Sequence, residues 1–181
     1  MKNMTILNFS SRNNGNCVKI AEYIAAHTSK TTIHSFVIDQ RISPCNGCDY
    51  ECLRPGVACP NVSEYQKEIM GAVLQSDLVY LIVPNYCGFP CANFLAFNER
   101  SVGYFNLDKA LMQQYMQVRK RFIIVSNTEN EIFQKAMEQQ ANDSSEVLYL
   151  KTSKYGKRSI TGDILESPQA LADLNAFLAT E

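Results

Sequence analysis

The chain has 181 residues, enough to bury a sizeable core and short for two domains. Hydrophobic residues make up 46% and charged residues 19%, which excludes a disordered chain, and a formal net charge of −1 leaves no excess to draw it to nucleic acid or an anionic membrane. The apolar run after Met4 is too short and too poorly flanked for a secretion signal, and no stretch approaches the roughly 18 apolar residues of a membrane span, so a soluble cytoplasmic protein is expected.

Residues 5–9 form a β-rich run that opens into a polar loop, and 18–28 follow with Val18, Ile20, Ala21, Ile24 and Ala25 near helical spacing. Residues 31–38 alternate and are β-branched, giving a second strand. Segment 42–60 has the proline, glycine and cysteine content of a loop, and 63–75 return to helical spacing. The run 77–83, DLVYLIV, is almost wholly apolar, as befits a parallel strand covered on both faces. Pro84 stops it and leaves 85–90 as a loop. A helical stretch from 91 to about 117 carries a break at Gly103; a strand at 122–125, a helix at 131–140 and a strand at 147–150 follow. A helix over 168–178 closes the chain, capped by Ser167 just ahead of a proline suited to its first turn. This alternation predicts an α/β fold, a doubly wound five-stranded parallel sheet with helices on both faces. No repeat or linker divides residues 1–181, which read as a single domain with a Cys-rich loop at 42–60.

In open parallel sheets ligands bind beyond the carboxyl ends of the strands, where strand order reverses. That directs attention to loops 10–17, 84–90 and 126–131. The first holds Ser10, Arg12, Asn14, Gly15, Asn16 and Cys17 and runs into a helix. Hydroxyls, amides, a guanidinium and backbone N–H groups thus meet at a helix N-terminus, whose dipole favours an anion. Gly15 lets the backbone turn tightly and approach a ligand. The segment is neither GxGxxG nor GxxxxGKS/T, which disfavours a dinucleotide or triphosphate bound in those modes. On spacing alone, a phosphate site and a polar turn with a helix cap both remain open.

The pattern Ser10-x-Arg12-x-Asn14-Gly15-Asn16-Cys17 resembles the phosphate loop of flavodoxin-like NAD(P)H-dependent FMN reductases and their iron–sulfur flavoprotein relatives. Phe9 replaces the family's leading glycine, and Cys17 stands where a hydroxyl is usual. Pro84-Asn85-Tyr86-Cys87-Gly88 is similar to the family's Pro-x-Tyr-x-Gly loop, whose backbone and tyrosine contact the flavin ring, and Cys45-x-x-Cys48 is similar to a segment after its second strand. The resemblance implies a flavodoxin-like fold, bound FMN, NAD(P)H as co-substrate, an electron acceptor that the sequence does not identify, and a homodimer. It places the phosphate on the first loop and the ring on Pro84, Asn85, Tyr86, Cys87 and Gly88, with Ser126 and Asn127 beside it. The family's lysine after the tyrosine loop is absent from the 95–100 segment, where Arg100 is retained, and the 126–129 segment lacks the usual glycine.

Cys45, Cys48, Cys52 and Cys59 lie close enough to bind a 4Fe-4S cluster or a zinc ion through four thiolates. A free-thiol or disulfide-switching loop is equally compatible, and the three readings stay open. Cys87 flanks the tyrosine loop, but neither His27 nor His34 neighbours a cysteine in sequence, so a hydrolytic Cys–His pair has little support. The aromatics Tyr86, Phe89, Phe94, Phe97, Tyr104 and Phe105 suit either a flavin wall or core packing, and the basic run 151–158 either steers nucleotide phosphates or is a solvated loop. Two functions compete with an NAD(P)H-dependent reductase: an electron carrier fed by a protein partner, and a non-enzymatic metal or thiol sensor built on the four-cysteine loop.

Overall fold

The computed structural model describes residues 3–54, 56–57, 59–106, 108–141 and 143–180. Strands β1 (Asn3–Asn8), β2 (Thr32–Val37), β3 (Leu78–Tyr86), β5 (Arg119–Ser126) and β6 (Val147–Lys151) form a parallel sheet in the order β2-β1-β3-β5-β6. A two-residue strand, β4 (Phe89–Pro90), folds back antiparallel on the end of β3. This is the doubly wound order in which the chain starts near the centre and reverses direction between β1 and β3.

Alternation along the strands assigns each apolar side chain to one of two cores. Leu78, Tyr80 and Ile82 of β3 pack with Ile20 and Ile24 of α1 (Asn16–His27) and with Leu174 of α6 (Pro168–Leu178). Val79, Leu81 and Val83 face the other way. They meet Ile69 and Val73 of α2 (Glu64–Leu74), Phe94 and Phe97 of α3 (Ala92–Phe105), and Phe133 and Met137 of α5 (Glu131–Ala141). Ser63 caps α2 by accepting from the Gln66 N–H at 3.1 Å. Ser167 caps α6 with Pro168 in the first turn, as the sequence predicts.

Three expectations are corrected. The helical stretch 91–117 breaks after Phe105, not at Gly103; α4 (Lys109–Gln117) restarts where the Asp108 carboxylate caps the Ala110 N–H. Gly103 lies inside α3 because Cys59 packs on it: an added Cβ there would come within 2.5 Å of the Cys59 Cβ. Strand β5 begins at Arg119, three residues early, since its charges find partners. Arg121 is fully buried, ion-paired with Glu146 at 2.6 Å and stacked 3.7 Å above the Phe177 ring. The third correction, the extension of β3 through Pro84, creates the cleft described next.

Candidate functional site

Strand β1 pairs with β3 only as far as Asn8↔Ile82, and the last bond on that side runs from the Phe9 N–H to the Ile82 carbonyl. By alternation the backbone of Pro84 faces the same side, where β1 has already turned away. The N–H that proline lacks is therefore not missed, and β3 continues along β5 to Pro84↔Val125. The divergence of β1 from β3 opens a cleft of about 270 Å³ at the carboxyl edge of the sheet. That lies near the lower end of the roughly 300–1,000 Å³ typical of small-ligand pockets.

One wall is the 10–17 loop. Ser10, Arg12, Gly15, Asn16 and Cys17 line the cleft. The buried Ser10 hydroxyl accepts the Arg12 N–H at 3.2 Å, and the Ser10 N–H bonds Asn8 Oδ1 at 2.9 Å, which fixes the start of the loop. Gly15 is the N-cap of α1 and provides no side-chain cap, leaving the helix dipole open towards the cleft. Asn16 is only 2% exposed; its Nδ2 donates to the Ser159 carbonyl and its Oδ1 accepts the Ile164 N–H at 2.9 Å. Its side chain therefore binds the protein rather than a ligand. Burial pushes the Cys17 thiol up to about 12, helped by nearby Cys91 and opposed by Ser10, so it stays neutral and unreactive. Asn14 does not line the cleft: its carbonyl is pressed by Gly162, where a Cβ would come within 2.6 Å.

The opposite wall is a β-hairpin where the sequence predicts a loop. Cys87 (φ 53°) and Gly88 (φ 86°) make a two-residue turn with both φ positive, the type I′ geometry that matches strand twist. Pro84, Asn85, Tyr86 and Cys87 line the cleft, whereas Gly88 lies behind it against Asn130, the residue that caps α5 at the Phe133 N–H. Asn85 is bonded at both ends: Oδ1 takes the Gly88 N–H at 2.9 Å, and Nδ2 donates to Ser126 Oγ at 2.9 Å and Tyr149 Oη at 3.1 Å. Ser126 is thus a buried brace between β5 and the hairpin and does not reach the cleft, while Asn127 does.

Val125 of β5, Ser159 and Ile160 complete the lining and are absent from the sequence-based site. Ser159 and Ile160 sit on a strap after β6, bounded by Gly156 (φ 65°) and Gly162 (φ 72°). Their signal was available: in a parallel sheet every strand ends at the same edge, so the loop after the fifth strand belongs there as much as the others. The basic run ahead of it is largely neutralised by Lys151–Glu129, Lys154–Asp173 and Lys157–Asp163 pairs.

The four loop cysteines do not come together. Cys59 is buried against α3, with Arg100 Nη1 at 3.7 Å from its sulfur, while Cys45 is exposed and its N–H is held by Glu99 at 2.9 Å. The Cys48 thiol hydrogen-bonds Glu51, which pushes its pKa up, and the Cys52 carbonyl accepts from Asn106. Among the described residues no group of three or more His, Cys, Asp or Glu side chains is placed to hold a metal ion. The donor set therefore does not fit the 4Fe-4S or zinc reading of Cys45, Cys48, Cys52 and Cys59. The aromatic stretch divides: Phe94, Phe97 and Phe105 are core, while Tyr86 and Phe89 are 45% and 69% exposed beside the cleft. Among the described residues no helix is long and apolar enough to cross a membrane.

No protein-family model and no curated protein matches the sequence. Solved structures do. A Trp repressor binding protein from Bacillus subtilis superposes with a TM-score of 0.66 at 17% identity, covering 96% of this chain and 98% of its own. A putative quinone reductase from Klebsiella pneumoniae gives 0.65 at 12%, covering 99% and 85%, and an NADH:FMN oxidoreductase in its apo form gives 0.55 at 12%, covering 99% and 90%. Strand order, the two helical layers and these neighbours agree that the chain has the flavodoxin-like α/β fold, with its cleft at the β1/β3 switch point.

Proposed function

We propose that the chain binds FMN non-covalently and uses it to carry a hydride from NAD(P)H to a further acceptor. One observation carries the reading: an uncapped helix N-terminus with Ser10 and Arg12, and a hairpin bearing Tyr86, line the same cleft. The first suits a phosphate and the second a flat ring. When bound, FMN supplies the hydride-accepting ring; the protein positions it and sets its environment.

In this reading the 10–17 loop holds the phosphate through the N–H groups of Gly15, Asn16 and Cys17, with the Ser10 hydroxyl and Arg12 adding a donor and a charge. Pro84, Asn85, Tyr86, Cys87 and Gly88 present the hairpin to one edge of the ring, braced by Ser126, and Asn127 approaches from β5. No side chain needs to exchange a proton with substrate, which accords with a site holding no histidine or carboxylate among its described lining residues. The ring face left uncovered is where the nicotinamide stacks. A second copy of the chain covering it accords with Phe89, an apolar side chain standing exposed on the hairpin beside the cleft.

The test is an anaerobic absorption spectrum of protein mixed with FMN, recorded before and after adding NADH and, separately, NADPH. Flavin bands that co-elute with the protein and bleach within seconds of either nucleotide support the reductase. Bound flavin that neither nucleotide bleaches, but dithionite does, removes the NAD(P)H step and leaves an electron carrier.

A further inference from the structure

Asn127 lines the cleft, and its amide is set by the strap and by the end of β6. Its Oδ1 lies 2.8 Å from the Ser159 backbone N and 2.8 Å from Thr152 Oγ1. A backbone N–H can only donate, so the amide atom facing Ser159 has to be the oxygen. The Thr152 hydroxyl rotates to donate to the same atom. Ser153 Oγ adds a bond to the Asn127 carbonyl at 2.9 Å, so the backbone is held as well. With Oδ1 engaged twice, Nδ2 is the free end of this cleft-lining side chain, without a hydrogen-bond partner among the described residues. Thr152 itself is fully buried and does not reach the cleft.

We propose that Asn127 offers Nδ2–H as a fixed hydrogen-bond donor to the ring of the bound flavin, and that Thr152 is the positioning residue that keeps the amide from turning over. The inference rests on the FMN reading above. Its chemistry is that of the ring's pyrimidine edge, where the C2 and C4 carbonyl oxygens and N1 accept hydrogen bonds and only N3–H donates one. A donor there pairs with an acceptor, and it favours the reduced ring, on which negative charge accumulates. Turned over, the same amide would set its oxygen against those acceptors and lose the bond. The strap after β6 thereby decides, through two hydrogen bonds to one oxygen, which end of Asn127 the ligand meets.

The experiment titrates wild type, Asn127→Asp, Thr152→Val and Thr152→Ser with riboflavin and with FMN, and measures the midpoint potential of the bound FMN. Asn127→Asp keeps an oxygen for Ser159 and Thr152 but replaces the donor by an acceptor. Riboflavin is the informative probe because it has no phosphate for the new carboxylate to repel. Riboflavin affinity is expected to fall about tenfold in Asn127→Asp and about threefold in Thr152→Val, with Thr152→Ser within about twofold of wild type. The potential shifts to more negative values in Asn127→Asp and, less, in Thr152→Val. Unchanged riboflavin binding in Asn127→Asp, or Val and Ser variants that bind alike, overturns the inference while leaving FMN binding intact. Wild type that takes up neither flavin overturns the FMN reading, and this inference with it.

Discussion

Gly162→Ala tests whether the strap is pressed onto the phosphate loop as the structure has it. Gly162 has φ 72°, and its hypothetical Cβ would lie 2.6 Å from the Asn14 carbonyl oxygen and 3.6 Å from the Gly15 Cα. The left-handed conformation costs an alanine about 1–2 kcal/mol. The contact adds more, because the clashing atoms are backbone and can yield only by lifting the strap from the loop. Gly156→Ala is the control: φ is 65°, but nothing lies within 4 Å of its Cβ, so it carries the conformational term alone. We expect about 1 kcal/mol for Gly156→Ala and about 3 kcal/mol for Gly162→Ala. At about 2–4 °C per kcal/mol for a chain of this size, melting falls by about 3 °C and about 9 °C respectively. FMN affinity should drop only in Gly162→Ala, since only there does the wall of the cleft move. Equal melting losses, with equal FMN affinity, would refute the close approach of strap and loop.

Other outcomes follow from the same contacts. Arg100→Met removes the donors to the carbonyls of Ser43 (2.8 Å) and Pro44 (2.6 Å) and to Asn46 Oδ1 (3.1 Å), which tie the Cys-rich loop to α3. It should destabilise by about 3 kcal/mol in urea unfolding and expose Cys59 to iodoacetamide, read by mass spectrometry. Asn85→Ala unties the hairpin from Ser126 and Tyr149 and should cost about 2 kcal/mol, with weaker FMN binding measured by fluorescence titration. For pH, the Cys17 thiol rises from 9.0 to about 12 on folding. A raised pKa means the folded state holds its proton where the unfolded state has lost it. The stability is therefore present below pH 9 and lost between pH 9 and 12, at up to about 1.4 kcal/mol per pH unit. Cys17→Ala should show a flatter loss of urea midpoint from pH 8.5 to 10.5; identical slopes would contradict the buried, neutral thiol.

Periodicity carried the fold: the DLVYLIV run and the Ser167 cap mark elements that local chemistry alone determines. The errors fall where tertiary contacts override local preference. Pro84 reads as a strand end, yet stands where a neighbouring strand has departed and needs no N–H. Gly103 reads as a helix break, but is small to admit Cys59. Arg119 and Arg121 fall outside the strand predicted at 122–125, although Glu146, distant in sequence, pairs with both. In the site, the 10–17 and 84–88 segments were legible from their composition. The strap residues Ser159 and Ile160 were legible only from topology, as part of the loop after the last strand; the Ser159 contacts with Asn16 and Asn127, more than thirty residues away, leave no local signal. Thiol spacing suggested a metal centre, but spacing says nothing of Arg100 and Gly103, which draw Cys59 to α3.

The most direct test of the central claim is an equilibrium titration of the apoprotein with FMN, followed by flavin fluorescence. One equivalent bound with a dissociation constant of about 1 μM or tighter, near 8 kcal/mol, is the predicted result. It should weaken at least tenfold in Arg12→Ala, which removes the cationic side chain at the phosphate loop. No quenching at protein concentrations of about 100 μM would contradict the account, leaving the fold without the cofactor proposed for its cleft.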